Sequence, residues 1–319
     1  MKLASLRAGG RDGTLIVVDD ALARACVVSA IAPTLQAALE RWETVEPALH
    51  EVAAALAAGT ADASFPLDVA ALASPLPRSY QFLDGSVYLH HMARARRARG
   101  APMPPNHETE PLMDQGVSDG FRGPVEPMPL PAEDLGIDFE AEVAVIVDDV
   151  PMGVTVAAAG RHVRLLMLLN DWTCRALTHS ELPKGFGFLQ SKPTSACSPV
   201  AVTPAALGAA WNGERLAGRL CSFVNGRAIG SPDAAVDMYF TYPQLIAHAA
   251  RTRALGAGTI IAAGAVSNRD PASGHGCLAE ARVDEEMTTG AAATPWLRFG
   301  DVVRIEMSAA DGRSIFGAI

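Results

Sequence analysis

The chain has 319 residues, 49% of them apolar and 19% charged, with a formal net charge of −9. That length accommodates one large domain or two of unequal size, and the acidic balance argues against nucleic acid or an anionic membrane as partner, since both reward basic patches. Five scattered cysteines (Cys26, Cys174, Cys197, Cys221 and Cys277) lack the spacing of a disulfide framework or a zinc site, the start carries no apolar signal segment, and no apolar run approaches the roughly twenty residues that span a bilayer, so a reduced, cytoplasmic protein is expected.

Residues 14–18 and 26–31 are rich in apolar and β-branched types and are predicted strands, with a turn at Asp19-Asp20. From Pro33 to Leu56 apolar residues recur at helical spacing (Leu35, Leu39, Trp42, Val45, Leu49). Pro47 is expected to split this run into two helices, and Gly59 to stop the second. Residues 1–72 thus read as a small N-terminal α+β domain with no candidate chemistry, and residues 73–319 as a larger catalytic domain, with a Pro-containing connector at 72–77. Beyond it, Asp84-Gly85 signals a tight turn. A basic helix carrying Arg94, Arg96, Arg97 and Arg99 follows, and residues 101–132, rich in proline and glycine, read as an ordered active-site loop.

The stretch from Asp138 to Val147 is predicted to be one strand, buried in its apolar second half. Alternation along a strand aims Glu140 and Glu142 to the same side, with Asp138 beside them. Such a pair either holds a hard cation such as Mg²⁺ or Ca²⁺ or lines the solvated end of an edge strand, and taken alone it leaves both open. A helix over 156–163 and an apolar strand then lead to Asp171, which reads equally as a cap or as a ligand. The loop from Lys184 to Pro193 alternates glycine with phenylalanine, which lets the backbone approach a ligand while the rings exclude water. Its Lys192 is either a surface lysine or a fixed cation for a substrate enolate or carboxylate.

Further strands are predicted at 220–224, 258–261 and 302–307, a hairpin turn at Asn225-Gly226, and a helix over 242–253 with Pro243 in its first turn. A Gly-rich segment runs from 264 to Glu280, which on its own reads as a surface carboxylate. His90 and His91 lie near Asp84, and either is a candidate base. The arginines of 94–99 read as a solvated helix face. No Gly-x-Ser-x-Gly elbow, convincing Cys–His arrangement, internal repeat or nucleotide fingerprint occurs, so hydrolysis would use a metal-activated water with a histidine base.

Five segments in order are more specific than any of these alone: Asp84 to His91, Asp138-Phe-Glu-Ala-Glu142, Asn170-Asp171-Trp172, Gly185 to Lys192, and Gly258-Thr-Ile-Ile with residues 264–280. From about residue 75 onward the chain resembles the fumarylacetoacetate hydrolase family. The resemblance implies an α+β fold, a mixed β-sandwich roll rich in antiparallel strands with a smaller N-terminal α+β domain, assembled as a homodimer. It implies Asp84, Glu140, Glu142 and Asp171 as ligands of Mg²⁺, with Ca²⁺ or Mn²⁺ as alternatives. Lys192 would contact substrate, and His91, preferred to His90 by its spacing from Asp84, would activate water while Glu280 orients it. The implied activity is hydrolysis of a carbon–carbon bond in a small anionic 1,3-diketo acid of fumarylacetoacetate or acylpyruvate type, in aromatic-compound catabolism. A 2-oxo acid hydratase or decarboxylase is the alternative, and a non-catalytic metal-binding protein a third. Two departures bear on the substrate: Ala265 stands where the hydrolase that names the family has a hydroxyl-bearing residue, and the arginine expected after the histidine has no in-register match, Arg97 or Arg99 being the substitutes.

Overall fold

The computed structural model describes residues 1–309 and 311–319. Strands β1 (Lys2–Leu6), β2 (Thr14–Val18) and β3 (Arg24–Val27) form an antiparallel meander. The sequence reading missed β1, and it extended β3 too far: Ile31 and Ala32 bond back to the Val28 carbonyl, so the chain turns there towards α1 (Leu35–Leu39). Pro47 does not break the next helix, α2 (Trp42–Ala58). It lies early in α2, so the carbonyl left without an amide partner is that of Glu43, in the exposed first turn. The break falls at Glu40-Arg41 instead, and Gly59 ends α2 at φ 70°, a conformation that favours glycine.

β4 (Phe65–Pro66) closes this part, and β5 (Phe82–Gly85) opens the next. The Asp84-Gly85 pair therefore lies inside a strand, not in a turn. α3 (Leu89–Ala98) is the basic helix, and a short strand, β6 (Met113–Gln115), sits within the 101–132 loop. The predicted central strand divides into β7 (Ile137–Asp138) and β8 (Ala141–Val147). A short helix, α4 (Val156–Ala159), leads into β9 (Val163–Asn170), followed by β10 (Thr173–Cys174) and α5 (Arg175–Glu181). β11 (Ala196–Cys197), β12 (Ala201–Val202), α6 (Pro204–Leu207), β13 (Leu220–Val224) and β14 (Arg227–Gly230) come next. The chain ends with α7 (Tyr242–Ala249), β15 (Ile260–Ala262), α8 (Leu278–Thr289) and β16 (Val303–Met307). α7 begins with a capping box between Thr241 and Gln244. α8 escaped prediction because glycines precede it and only Leu278 and Val283 among its apolar residues are buried.

One 11-stranded sheet organises the molecule, in the order β4-β3-β2-β1-β12-β9-β8-β15-β5-β6, with β11 also paired to β9. The pairings are antiparallel except β15 with β5. The β1–β12 pairing, Lys2 opposite Val202, carries the sheet from the N-terminal meander into the remainder of the chain. Two- and three-stranded sheets (β10-β7 and β14-β13-β16) complete the mixed α+β architecture. β8 and β9 are covered on both faces: Val143, Val145, Leu166 and Leu168 face one core with Tyr242, and Ala144, Ile146, Leu165 and Met167 face another with Leu35, Trp42 and Leu49. Double coverage explains why these strands read as continuous apolar runs. Among the described residues no helix is long and apolar enough to cross a membrane.

Candidate active site

The polar residues of the central strands collect where β8 begins and β5 and β9 end. Asp84 lies opposite Ala262 on β15 and Asp114 on β6, while Glu142 lies opposite Leu169, two residues before Asp171. Oxygens of Asp84, Glu142 and Asp171 all lie within 4.8 Å of one another. Asp84 Oδ1 and both carboxylate oxygens of Glu142 are buried and have no hydrogen-bond partner among the described residues. Burial, reinforced by the neighbouring carboxylates, pushes Asp84 and Glu142 well above the usual carboxylate range. A buried all-oxygen donor set short of compensating charge fits a hard divalent cation such as Mg²⁺, Mn²⁺ or Ca²⁺.

Glu140, expected as the fourth member, faces cations instead. Lys192 Nζ donates to Glu140 Oε2 and Asp171 Oδ2, Arg175 donates to Glu140 Oε1 at 2.8 Å, and His91 Nε2 lies 3.6 Å from the same oxygen. Burial opposes ionisation of Glu140, but Lys192, Arg175 and His91 hold it below the usual range. Asp138 departs from its expected place beside Glu140 and Glu142. Strand pairing is interrupted at Phe139-Glu140, and the Asp138 carboxylate accepts from the amides of Leu278 (2.8 Å) and Ala279 (3.0 Å) at the start of α8 and from Arg175 Nε (2.9 Å). A carboxylate there satisfies amides that have no partner within the helix.

His91 sits in the first turn of α3, with Nδ1 3.1 Å from Glu280 Oε1. Glu280, in the first turn of α8, is buried rather than on the surface, and its other oxygen accepts from the Gly276 amide at 3.2 Å. Burial opposes its ionisation, yet the bonds from His91 and Ser267 and the charge of Arg94 bring it down to about 2. His90 points elsewhere, into a recess with Asp237, Tyr239 and Arg269. All seven predicted site residues therefore converge: Asp84, Glu142 and Asp171 as one cluster, Glu140 and Lys192 beside it, and His91 with Glu280 adjoining.

Of these seven, Asp84, His91, Glu140 and Lys192 border a cavity of about 460 Å³, which Phe188, Ala265, Arg96, Arg99 and His179 also line. Phe188 lies 5.6 Å below Lys192 Nζ, while Phe186 at the loop tip is 98% exposed. Leu112 to Asp114 bring part of the 101–132 loop to the cavity. Of the basic helix, Arg94 is paired with Asp284, Arg97 is exposed, and Arg96 and Arg99 reach the cavity.

Four residues here were missed: Arg175, Asp114, Glu181 and Ser195. Ser195 Oγ donates to Asp171 Oδ1 at 2.7 Å. Asp114, half-buried beside other carboxylates, is pushed by burial up to about 7 although Lys192 opposes the rise. Glu181 accepts from the amides of Leu189 (3.1 Å), Gln190 (2.6 Å) and Ser191 (3.0 Å) and from the Ser191 hydroxyl, which ties down the chain next to Lys192. Burial opposes its ionisation, but these bonds bring it down to about 2. Nothing local marks Arg175, whose partners Asp138 and Glu140 lie 37 and 35 residues earlier in the chain.

Glu181→Ala leaves the buried amide and hydroxyl of Ser191 without their acceptor and is expected to destabilise the fold by about 1–3 kcal/mol in urea unfolding. The folded-state values of Glu181 and Glu280 lie below the unfolded value of about 4.3. Their stabilisation is therefore complete above about pH 4.3 and is lost as pH falls towards about 2. A Glu181→Gln variant should unfold with a shallower acid dependence between those limits, and a slope equal to wild type would refute the assignment.

Residues 81–317 match the family model described as fumarylacetoacetate (FAA) hydrolase C-terminal, and residues 1–78 match fumarylacetoacetase N-terminal domain 2. No match was found among curated protein sequences. The chain is similar in structure to a probable 2-hydroxyhepta-2,4-diene-1,7-dioate isomerase from Mycobacterium abscessus, with TM-score 0.67 and 18% identity over 100% of this chain and 97% of the other. It is also similar to maleylpyruvate hydrolase from Sphingobium sp. SYK-6, with TM-score 0.65 and 16% identity over 100% and 98%. A structure of that hydrolase with manganese(II) and pyruvate gives TM-score 0.63 and 17% identity over 100% and 98%. At these identities the likeness speaks for the fold alone.

Proposed function

Since the chain belongs to the fumarylacetoacetate hydrolase family, we propose that it is a divalent-metal-dependent enzyme hydrolysing a carbon–carbon bond in an acylpyruvate-like 1,3-diketo acid. The observation that carries this reading is the meeting of two units at one cavity, which Asp84 and His91 line: a cluster of three carboxylates in which Asp84 and Glu142 carry unpartnered oxygens, and the His91–Glu280 pair. Asp84, Glu142 and Asp171, with Glu140 adjoining, would hold Mg²⁺, or Mn²⁺ or Ca²⁺ in its place. When bound, the ion supplies positive charge to the diketone oxygens. His91 accepts a proton from water through Nε2, because Nδ1 is held by Glu280. The water oxygen adds to one carbonyl carbon, the bond to the central carbon breaks, and its electron pair leaves as an enolate. Lys192, fixed between Glu140 and Asp171, stabilises that developing charge. The similar maleylpyruvate hydrolase, seen with manganese(II) and pyruvate, supports a divalent ion and a pyruvyl product.

A hydratase or decarboxylase of 2-oxo acids, or an isomerase, shares the enolate chemistry, and the isomerase among the similar structures belongs to that second reading. The 3.1 Å contact of His91 with Glu280 favours hydrolysis, which needs an oriented base for water. The test is absorbance decay of acetylpyruvate and fumarylpyruvate with metal and after chelation, with products identified by mass. Metal-dependent appearance of pyruvate and the matching acid is the expected result. Intact diketones alongside loss of CO₂ from oxaloacetate, or water addition to a 2-hydroxydienoate, would overturn it.

Arg99 has no carboxylate partner among the described ion pairs, and Arg96 and Arg175 add to the positive charge around it. It suits the distal carboxylate of a longer substrate. Arg99→Ala is expected to raise KM for fumarylpyruvate by about 10–100-fold, the loss of one charged hydrogen bond. KM for acetylpyruvate, which lacks that group, should stay within a few-fold; equal effects on both would place the distal carboxylate elsewhere.

A further inference from the structure

Cys277 has no part in the chemistry above, yet it belongs to a second donor group. Its thiol, an imidazole nitrogen of His91 and a carboxylate oxygen of Glu280 lie within 4.8 Å of one another, and all three residues are buried. The fold sets this arrangement. Cys277 immediately precedes α8, Glu280 lies in its first turn, and a bridge between Cys277 and Glu140 fixes the backbone next to the start of β8. The 3.1 Å between His91 Nδ1 and Glu280 Oε1 is close to the edge of about 3.3 Å in a tetrahedron with metal–ligand distances of about 2.0–2.1 Å.

The donor set differs in kind from the carboxylate cluster. Sulfur with imidazole selects soft or borderline cations, whereas three carboxylates suit hard ones. Local charge also accommodates an ion. Asp138, Glu140 and Glu280 surround Cys277 against Arg175, which is bonded to the first two, and Arg94 near Glu280 is committed to Asp284. His91 borders the cavity, which gives an entry path and room for water as a fourth ligand.

We propose that Cys277, His91 and Glu280 form a binding site for a soft divalent cation, Zn²⁺ or Cd²⁺, and that its occupation blocks turnover. The ion displaces the thiol proton, which passes to solvent, and lies between His91 and Glu280, where it takes the place of the Nδ1 hydrogen, which moves by way of solvent to Nε2. His91 is then a ligand and can no longer accept a proton from water. The block, unlike the site, rests on the role given to His91 above.

The test titrates the Mg²⁺-loaded full chain with Cd²⁺, reading the ultraviolet charge-transfer band of a cadmium thiolate and the stoichiometry by equilibrium dialysis. Wild type should bind one Cd²⁺ per chain at this site with the band present. Cys277→Ser should lose the band and bind at least about 10-fold more weakly, while Cys221→Ser, at a half-buried cysteine elsewhere, should retain both. His91→Gln keeps the thiol and removes a different ligand, so it should weaken Cd²⁺ binding similarly, and it carries the test if Cys277→Ser fails to fold. A band that persists in Cys277→Ser, or His91→Gln binding as tightly as wild type, overturns the site. Inhibition of wild type by Cd²⁺ that is relieved in Cys277→Ser supports the block, and a saturated band with undiminished turnover overturns it. A chain inactive on every diketo acid still reports the site through the band, so the two readings fail separately.

Discussion

His91→Ala is expected to lower kcat by about 10²–10⁴-fold, the usual contribution of a positioned general base, while affinity for Mg²⁺ changes little. The geometry separates the two functions. His91 meets Glu280 through Nδ1 and approaches Glu140 through Nε2, and it is not among the three residues whose oxygens converge in the carboxylate cluster. Glu280→Gln keeps the shape but removes the charge that holds the imidazole tautomer, so a smaller fall in kcat with little change in KM is expected. Both measurements belong in single-turnover mode, so that product release does not mask the chemical step. A His91→Ala enzyme within a few-fold of wild-type kcat would remove the histidine from the reaction.

Asp84→Asn with Glu142→Gln is expected to abolish metal-dependent turnover and, with metal absent, to raise the melting temperature. The two effects share one origin. Buried, closely spaced carboxylates whose oxygens lack partners are unfavourable to the fold until a cation compensates them. Amides of the same shape remove the repulsion and the cation's reason to bind together. Wild type should gain about 2.7 kcal/mol of stability when Mg²⁺ or Mn²⁺ is present at a hundred times its Kd, and the double variant should gain none. Thermal unfolding with and without the ions reads both. A variant still stabilised by metal, or one less stable than metal-free wild type, would contradict this picture of the cluster.

The parts of the molecule that obey local rules were legible in the sequence. β8 and β9 declare themselves by apolar runs, Gly59 by its stop, Asn225-Gly226 by its turn chemistry, and Asp84, Glu142, Asp171, Lys192 and His91 by ordered motifs. What was illegible depends on partners distant in the chain. Asp138 reads as a strand neighbour of Glu140, but its amide partners are on a helix 140 residues later. Glu140 reads like Glu142, and its partners Lys192, Arg175 and His91, all distant in the chain, are what set it apart. Glu280 reads as a surface acid because α8 lacks the apolar stripe that would have announced a packed helix. Nothing adjacent in sequence distinguishes His90 from His91 physically; the direction in which each projects from α3 does. Pro47 reads as a helix break but lies within α2, since its effect depends on which carbonyl it leaves unpaired.

The parallel pairing of β15 with β5, Ile260 opposite Phe82, has a consequence for how the protein is made. The strand carrying Asp84 cannot take its place between β6 and β15 until the chain has been synthesised past residue 260, and His91 waits longer still for Glu280, 189 residues downstream. Closing such long loops is entropically expensive, and topologies dominated by distant contacts fold slowly. The N-terminal meander and the β8–β9 hairpin need no such wait. Assembly should therefore pass through a species with those elements formed and His91 still apart from Glu280, so that the candidate site is the last part to be ordered.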